Sequence, residues 1–241
     1  MLRFYKRKQL CEIMKKLIII LFFVCSFCVV ANAQTLYKSH IHVGAKAGAT
    51  LSSIAFSPEV KQSMTSGFVG GVSFRYAEER HVGLLAELNV AQRGWKETFE
   101  DGLPFEYSRT LTYIQLPLMT HIFFGWQRFK ININLGPEIS YMVGSSIKSN
   151  FDYANVTSVE NFPLQYRMTE QLTMPIKNKF DYGITGGIGC EFKLNRKHSL
   201  ALEGRYYFGL GNIFPAAKKD VFDASRNSSI LITLGYYYRL K

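Results

Sequence analysis

The sequence predicts an all-β chain: an eight-stranded antiparallel up-and-down transmembrane β-barrel with short periplasmic turns and long external loops. Three observations predict it. Apolar and polar residues alternate with a period of two in eight separate runs. The runs are roughly 9–14 residues long, beyond the ~5–6 of an ordinary strand and in line with the ~9–11 of a tilted bilayer crossing. The connections between them alternate in length, short then long, along the whole chain.

The N-terminus reads as an export signal. Met14-Lys15-Lys16 precedes an apolar run from Leu17 to Val30 and then Ala31-Asn32-Ala33-Gln34. A basic start, an apolar stretch and a small-x-small ending describe a cleaved secretory signal. Cleavage is expected between Ala33 and Gln34, giving a signal peptide over 1–33 and a barrel domain over 34–241. Met14 is the more natural start, with 1–13 an upstream extension. A retained helical anchor needs ~20 apolar residues, more than this run has. Lipoprotein processing is disfavoured because Val24 and Phe27 precede Cys25 and Cys28 where a small residue is required. Residues 1–33 carry six Lys and Arg against Glu12, so removing this net +5 takes the formal charge from +11 to +6. The basic balance is then weak evidence for nucleic acid, and no nucleic-acid motif accompanies it. Beyond residue 33 only Cys190 remains, which excludes a disulfide framework or cysteine zinc site there.

The eight runs follow in order. The first, 41–51, sets Val43, Ala45, Ala47 and Ala49 against His42, Gly44, Lys46 and Gly48. The second, 66–76, sets Phe68, Val72, Phe74 and Tyr76 against Gly67, Val69, Gly71, Ser73 and Arg75. In the third, 81–93, Val82, Leu84, Ala86, Leu88 and Val90 oppose Gly83, Leu85, Glu87, Asn89 and Arg93. The fourth, 111–124, carries Ile114, Leu116, Leu118, Ile122 and Phe124 on one side, and Pro117 implies a bulge or irregular pairing there. The fifth, 130–142, opposes Ile131, Ile133, Leu135, Ile139 and Tyr141 to Lys130, Asn132, Asn134 and Glu138. The sixth, 180–194, opposes Tyr182, Ile184, Ile188, Phe192 and Leu194 to Asp181, Thr185, Glu191 and Lys193. The seventh, SLALEGRYYFGLG (199–211), alternates Leu200, Leu202, Gly204 and Tyr206 with Ala201, Glu203, Arg205 and Tyr207. The eighth, 228–240, alternates Ile230, Ile232, Leu234, Tyr236, Tyr238 and Leu240 with Thr233, Gly235, Tyr237 and Arg239.

Short links (AEER, GWQRF, NRKH) join runs two to three, four to five and six to seven; the others are long, 144–179 longest. This sorting belongs to outer-membrane barrels with short periplasmic turns. The apolar faces are therefore expected to meet lipid and the polar faces to line the lumen. Glycines gather on the polar face, where a narrow barrel curves, and Tyr76, Trp126, Tyr206, Tyr236 and Tyr238 sit where interfacial girdles would.

The inward charges are Lys46, Arg75, Glu87, Glu138, Glu191, Glu203, Arg205 and Arg239. An eight-stranded barrel is only wide enough for its own side chains, so these must pair, and a structural salt-bridge network plugging the lumen is expected. A narrow gated ion path is the sharper alternative, which sequence alone does not separate from it. No catalytic constellation, cofactor site or metal site can be assembled from His40, His42, His81, His121 and His198. Asn155 and Asn227 head formal glycosylation sequons, read as chance. The loop 144–179, with Tyr153, Phe162, Pro163, Tyr166 and Pro175, is long enough to cover the barrel mouth or bind a partner. The loop 208–228 holds Lys218-Lys219-Asp220, a candidate contact for lipopolysaccharide.

The ordered set VGAKAGATLS, GFVGGVSF, LTYIQLPLMTHIFF, LGPEISYMVG, FDYGITGGIGCEF and LEGRYYFGLGNIF resembles the PorT family of outer-membrane β-barrels of the Bacteroidota. The likeness runs over about 42–240 and rests on the order of the pieces. It implies an eight-stranded barrel, no catalytic residues, and an accessory role in type IX protein secretion, the export route of surface proteases and gliding adhesins. The ending Tyr238-Arg239-Leu240-Lys241 departs from the aromatic last residue common in such barrels. The expected function is a non-enzymatic secretion component that touches outer-membrane lipid, lipopolysaccharide and other secretion proteins through its loops. A structural or adhesion barrel is the alternative, and a lipid-modifying enzyme a third.

Overall fold

Each alternating run forms one long strand. The computed structural model describes residues 39–77, 81–100, 103–164, 168–216 and 220–240. The expected signal peptide, its cleavage point and Lys218-Lys219 lie outside these residues. The strands are β1 (His40–Ser57), β2 (Gln62–Ser63), β3 (Thr65–Ala77), β4 (Val82–Glu97), β5 (Tyr107–Gly125), β6 (Phe129–Ser149), β7 (Phe180–Lys193), β8 (His198–Asn212) and β9 (Ala224–Arg239). All pairings are antiparallel, in the order β1-β3-β4-β5-β6-β7-β8-β9, and β9 pairs with β1 to close the ring. β2 is a short addition on β4. Eight strands thus make an up-and-down barrel with no free edge, the form that satisfies every backbone group in lipid.

The expected phase holds in all eight strands. Leu202, Leu84, Ile133, Ile188 and Leu234 are exposed on the outer face, while Glu87, Asn132, Thr185, Glu203 and Thr233 are buried within. Outward aromatics form two rings. Phe68, Tyr141, Phe180, Tyr182, Tyr206 and Phe208 lie towards the long loops; Tyr76, Phe124, Trp126, Phe129, Phe192 and Tyr236 lie towards the short turns. From Phe68 to Tyr76 the strand rises about 26 Å, or on the order of 20 Å along the normal at a tilt of ~40°, a bilayer-sized band.

The strands run past this band at the loop end. β1 continues to Ser57 rather than Leu51, β4 to Glu97 rather than Arg93, and β6 to Ser149 rather than Met142; β5 starts at Tyr107 and β9 at Ala224. In this extension the polarity inverts without a change of phase on β1, β4, β5 and β9, whereas on β6 an irregularity in the pairing moves the inward parity from Met142 to Ser145, Ile147 and Ser149. Ser57, Lys96 and Arg226 point outwards, while Ile54, Phe56, Trp95 and Leu111 are buried inside. The alternation fades in sequence where the apolar set changes faces, so the runs read too short. The expected loop 144–179 is therefore 150–179, because its start is strand, and 208–228 shrinks to 213–223, because both its ends are strand.

Pro117 does not shift the register. Pro117 pairs with Glu138 in the β6 ladder, and its gap lies on the other side, where the β4 ladder skips from Gln115↔Asn89 to Leu118↔Ala86 in one register. The bulge lies instead at Thr112/Tyr113. A proline lacks the donor for one rung, which interrupts the ladder without displacing it.

Candidate functional site in the barrel lumen

Three tiers of buried polar side chains cross the lumen. At the waist, Lys46 Nζ on β1 donates to Glu87 on β4 at 2.6 Å. Arg205 on β8 donates to the same Glu87 at 2.8 and 3.1 Å and to Glu203 on its own strand at 2.8 and 2.9 Å. Asn89 donates to Glu87 and Asn134 to Glu203, completing the carboxylates' acceptors. Two cations and two carboxylates are thus neutral together. Glycines make the room: Lys46 is flanked by Gly71 and Gly235, Arg205 by Gly187 and Glu203 by Gly189. A Cβ on Gly187 would lie 2.4 Å from the Gly204 carbonyl oxygen and 2.8 Å from Arg205 Cα.

Towards the turns, Arg75 on β3 pairs with Glu191 on β7 at 2.5 Å and lies 4.1 Å over the ring of Tyr237. Towards the loops, Arg93 pairs with Glu138, reaches Asp181 at 3.6 Å and stacks 3.7 Å over Tyr207. Tyr207 and Asn227 in turn donate to Asp181 at 3.1 and 2.8 Å.

Seven of the eight expected lumen charges are therefore in cross-lumen pairs, spread over separate tiers. Arg239 is not. It sits half-buried at the turn end with Nη2 2.7 Å from His40 Nδ1, since β9 ends at that level. Arg93 and Asp181 belong to the upper tier and were absent from the expected network. Their inward parity, shared with Glu87 and Gly183, is the sequence signal that would have placed them.

Above the tiers the extension is filled by an apolar plug. Phe56 meets Trp95 edge-on at 5.5 Å and Phe222 at 5.1 Å, with Phe214 stacked on Phe222. The loop 150–179 contributes a single helical turn, α1 (Glu170–Thr173), that enters the mouth. Leu172 is buried there; Tyr107 OH donates to its carbonyl, Arg109 donates to Met174 O at 2.7 Å, and Gln171 donates to Glu97 at 2.9 Å. Phe162 joins the plug and Tyr153 packs edge-on against Tyr107; Tyr166 lies outside the described residues.

The histidines have other work. His121 Nδ1 meets Asn134 Oδ1 at 2.6 Å, His81 meets the Phe123 carbonyl, and His198 meets Tyr236 OH. Among the described residues no group of three His, Cys, Asp or Glu is placed to hold a metal ion.

An apolar belt between aromatic rings, a closed ring of tilted strands and a polar, self-paired interior define an integral β-barrel of the bacterial outer membrane. The chain belongs to the outer membrane protein beta-barrel domain family, which matches residues 32–215. Among solved structures, OprG from Pseudomonas aeruginosa is similar at 14% identity and TM-score 0.50, covering 85% of this chain and 97% of that one. Neisserial surface protein A matches at 11% identity and TM-score 0.44, covering 84% and 99%. The Escherichia coli outer membrane protein W matches at 15% and 0.42, covering 86% and 100%. At these identities the likeness is one of fold. A search of curated proteins found no match.

Proposed function

We propose that this barrel is a non-enzymatic, non-conducting component of protein export, of the PorT type within type IX secretion, working through its surfaces. The observation that carries the non-conducting part is the filled interior: three tiers of paired side chains beneath an aromatic plug. A barrel so filled contributes through what its ends and wall present to other molecules. The export role itself draws on the order of strand motifs from VGAKAGATLS to LEGRYYFGLGNIF. The loop segments 150–179 and 213–223, held over the mouth, are the surfaces offered to secretion proteins and lipopolysaccharide.

Deletion of the gene, with cell-surface and medium proteins compared with the parent, tests the reading. Type IX cargo should accumulate inside the cell and return on complementation. Unchanged export overturns the secretion role and leaves a structural barrel of the envelope, which the cross-lumen pairs would serve equally.

A further inference from the structure

The charge of the mature chain is concentrated at one end. By sequence, the turn end (residues 75–81, 126–130, 191–198 and 239) holds eight Lys and Arg against three Glu. The loop end (57–63, 96–109, 148–179 and 213–226) holds ten of each sign. The excess is not spread over the rim alone. Arg75 on β3, Lys130 on β6, Lys193 on β7 and Arg239 on β9 all fall on the inward parity of their strands, around the periplasmic mouth of the lumen.

One carboxylate, Glu191, faces this ring among the described residues, and Arg75 holds it. Lys130 stands opposite Glu191 in the β6–β7 ladder with its Nζ 4.8 Å over the Phe123 ring; Lys193 Nζ reaches only the Gln127 carbonyl at 3.5 Å. Neither lysine forms an ion pair with a described residue. Nearby, the buried donor Arg75 Nε and the buried ring nitrogen His42 Nδ1 have no partner. Like charges gathered at a half-buried mouth repel one another and focus a positive potential along the axis.

We infer that the periplasmic mouth is a docking site for an acidic segment of a periplasmic protein, whose Asp or Glu side chains enter the ring of Lys130, Lys193 and Arg75. The site faces the barrel axis, whereas phospholipid headgroups lie around its outer wall. A second copy of this chain does not fit, because its loop end is neutral and its turn end is equally basic. The inference goes beyond the export reading and rests on the charge distribution alone.

The test is binding of a fluorescent oligoglutamate peptide to the mature barrel in phosphatidylcholine nanodiscs. Saturable binding that weakens about tenfold in the Lys130→Gln/Lys193→Gln variant, is screened by salt, and is unchanged in Lys61→Gln/Lys148→Gln, two exposed loop-end lysines, supports the site. No binding to the unmutated barrel, or equal binding by all variants, overturns it. Folding of each variant is checked by heat-modifiable gel migration. On the unmutated protein, protection of Lys130 and Lys193 from amine acylation by the bound peptide decides the matter without a variant; absence of protection overturns the site.

Discussion

Arg205 on β8 grips Glu87 on β4 through both terminal nitrogens, at 2.8 and 3.1 Å, across the full width of the barrel. In the ring of eight strands these two stand diametrically opposite, as do β3 and β7, which Arg75 and Glu191 connect. Such pairs act as cross-ties: they hold opposite walls at a set distance while neutralising the charges that a narrow lumen cannot leave alone.

Glu87→Gln should destabilise the barrel by about 3–5 kcal/mol, because Lys46 and Arg205 would then share Glu203 alone in a dry interior. A lower urea midpoint for unfolding from lipid vesicles reads this out. An unchanged midpoint would show that the waist tier carries no net structural load.

The Arg75–Glu191 pair offers a sharper contrast. Arg75→Leu leaves Glu191 buried without its cation and should cost about 3–5 kcal/mol, whereas Arg75→Leu/Glu191→Leu should recover most of that loss. Equal losses for the single and double variants would contradict a paired, desolvated arrangement.

Membrane depth can be mapped with arginine. Leu202→Arg, on the outer face between the aromatic rings, should cost about 2–4 kcal/mol of folding into vesicles, and Ala55→Arg, on the outer face of the extension, about 0–1. Similar costs at both positions would place the bilayer boundary elsewhere.

Conduction is the fourth test. In planar bilayers the mature protein should show no resolvable steady channel, and deleting residues 154–174 should not open one, because the waist pairs lie below the plug. Removing Glu87 and Arg205 together with that loop segment should admit ions. A stable conductance in the unmutated protein would sink the non-conducting reading.

Most of the barrel wall was legible because a membrane strand carries its orientation residue by residue: Leu200 and Leu202 against Glu203 and Arg205 already state which side is lipid. What was not legible lies where the solvent changes. Beyond the loop-end girdle the outer face meets water and the inner face packs Phe56 and Trp95, so the apolar positions move to the other parity and the period no longer shows in a single pattern. The bulge at Thr112/Tyr113 was also not legible: Gly144 stands at it, opposite Thr112, but one glycine among the many of these strands does not single out a bulge.

By itself the sequence determined the count of eight wall strands, the facing of side chains within the bilayer band and the alternation of turns and loops, because each follows from a period of two and from local chain length. Tertiary structure alone decided which charges meet. Arg75 and Glu191 are 116 residues apart, and Glu87 and Arg205 are 118. Their contact depends on ring closure, register and the space that inward glycines leave, none of which is a local property of the chain. The same closure gathered the basic residues of separate turns into one mouth and folded the 150–179 loop into the other.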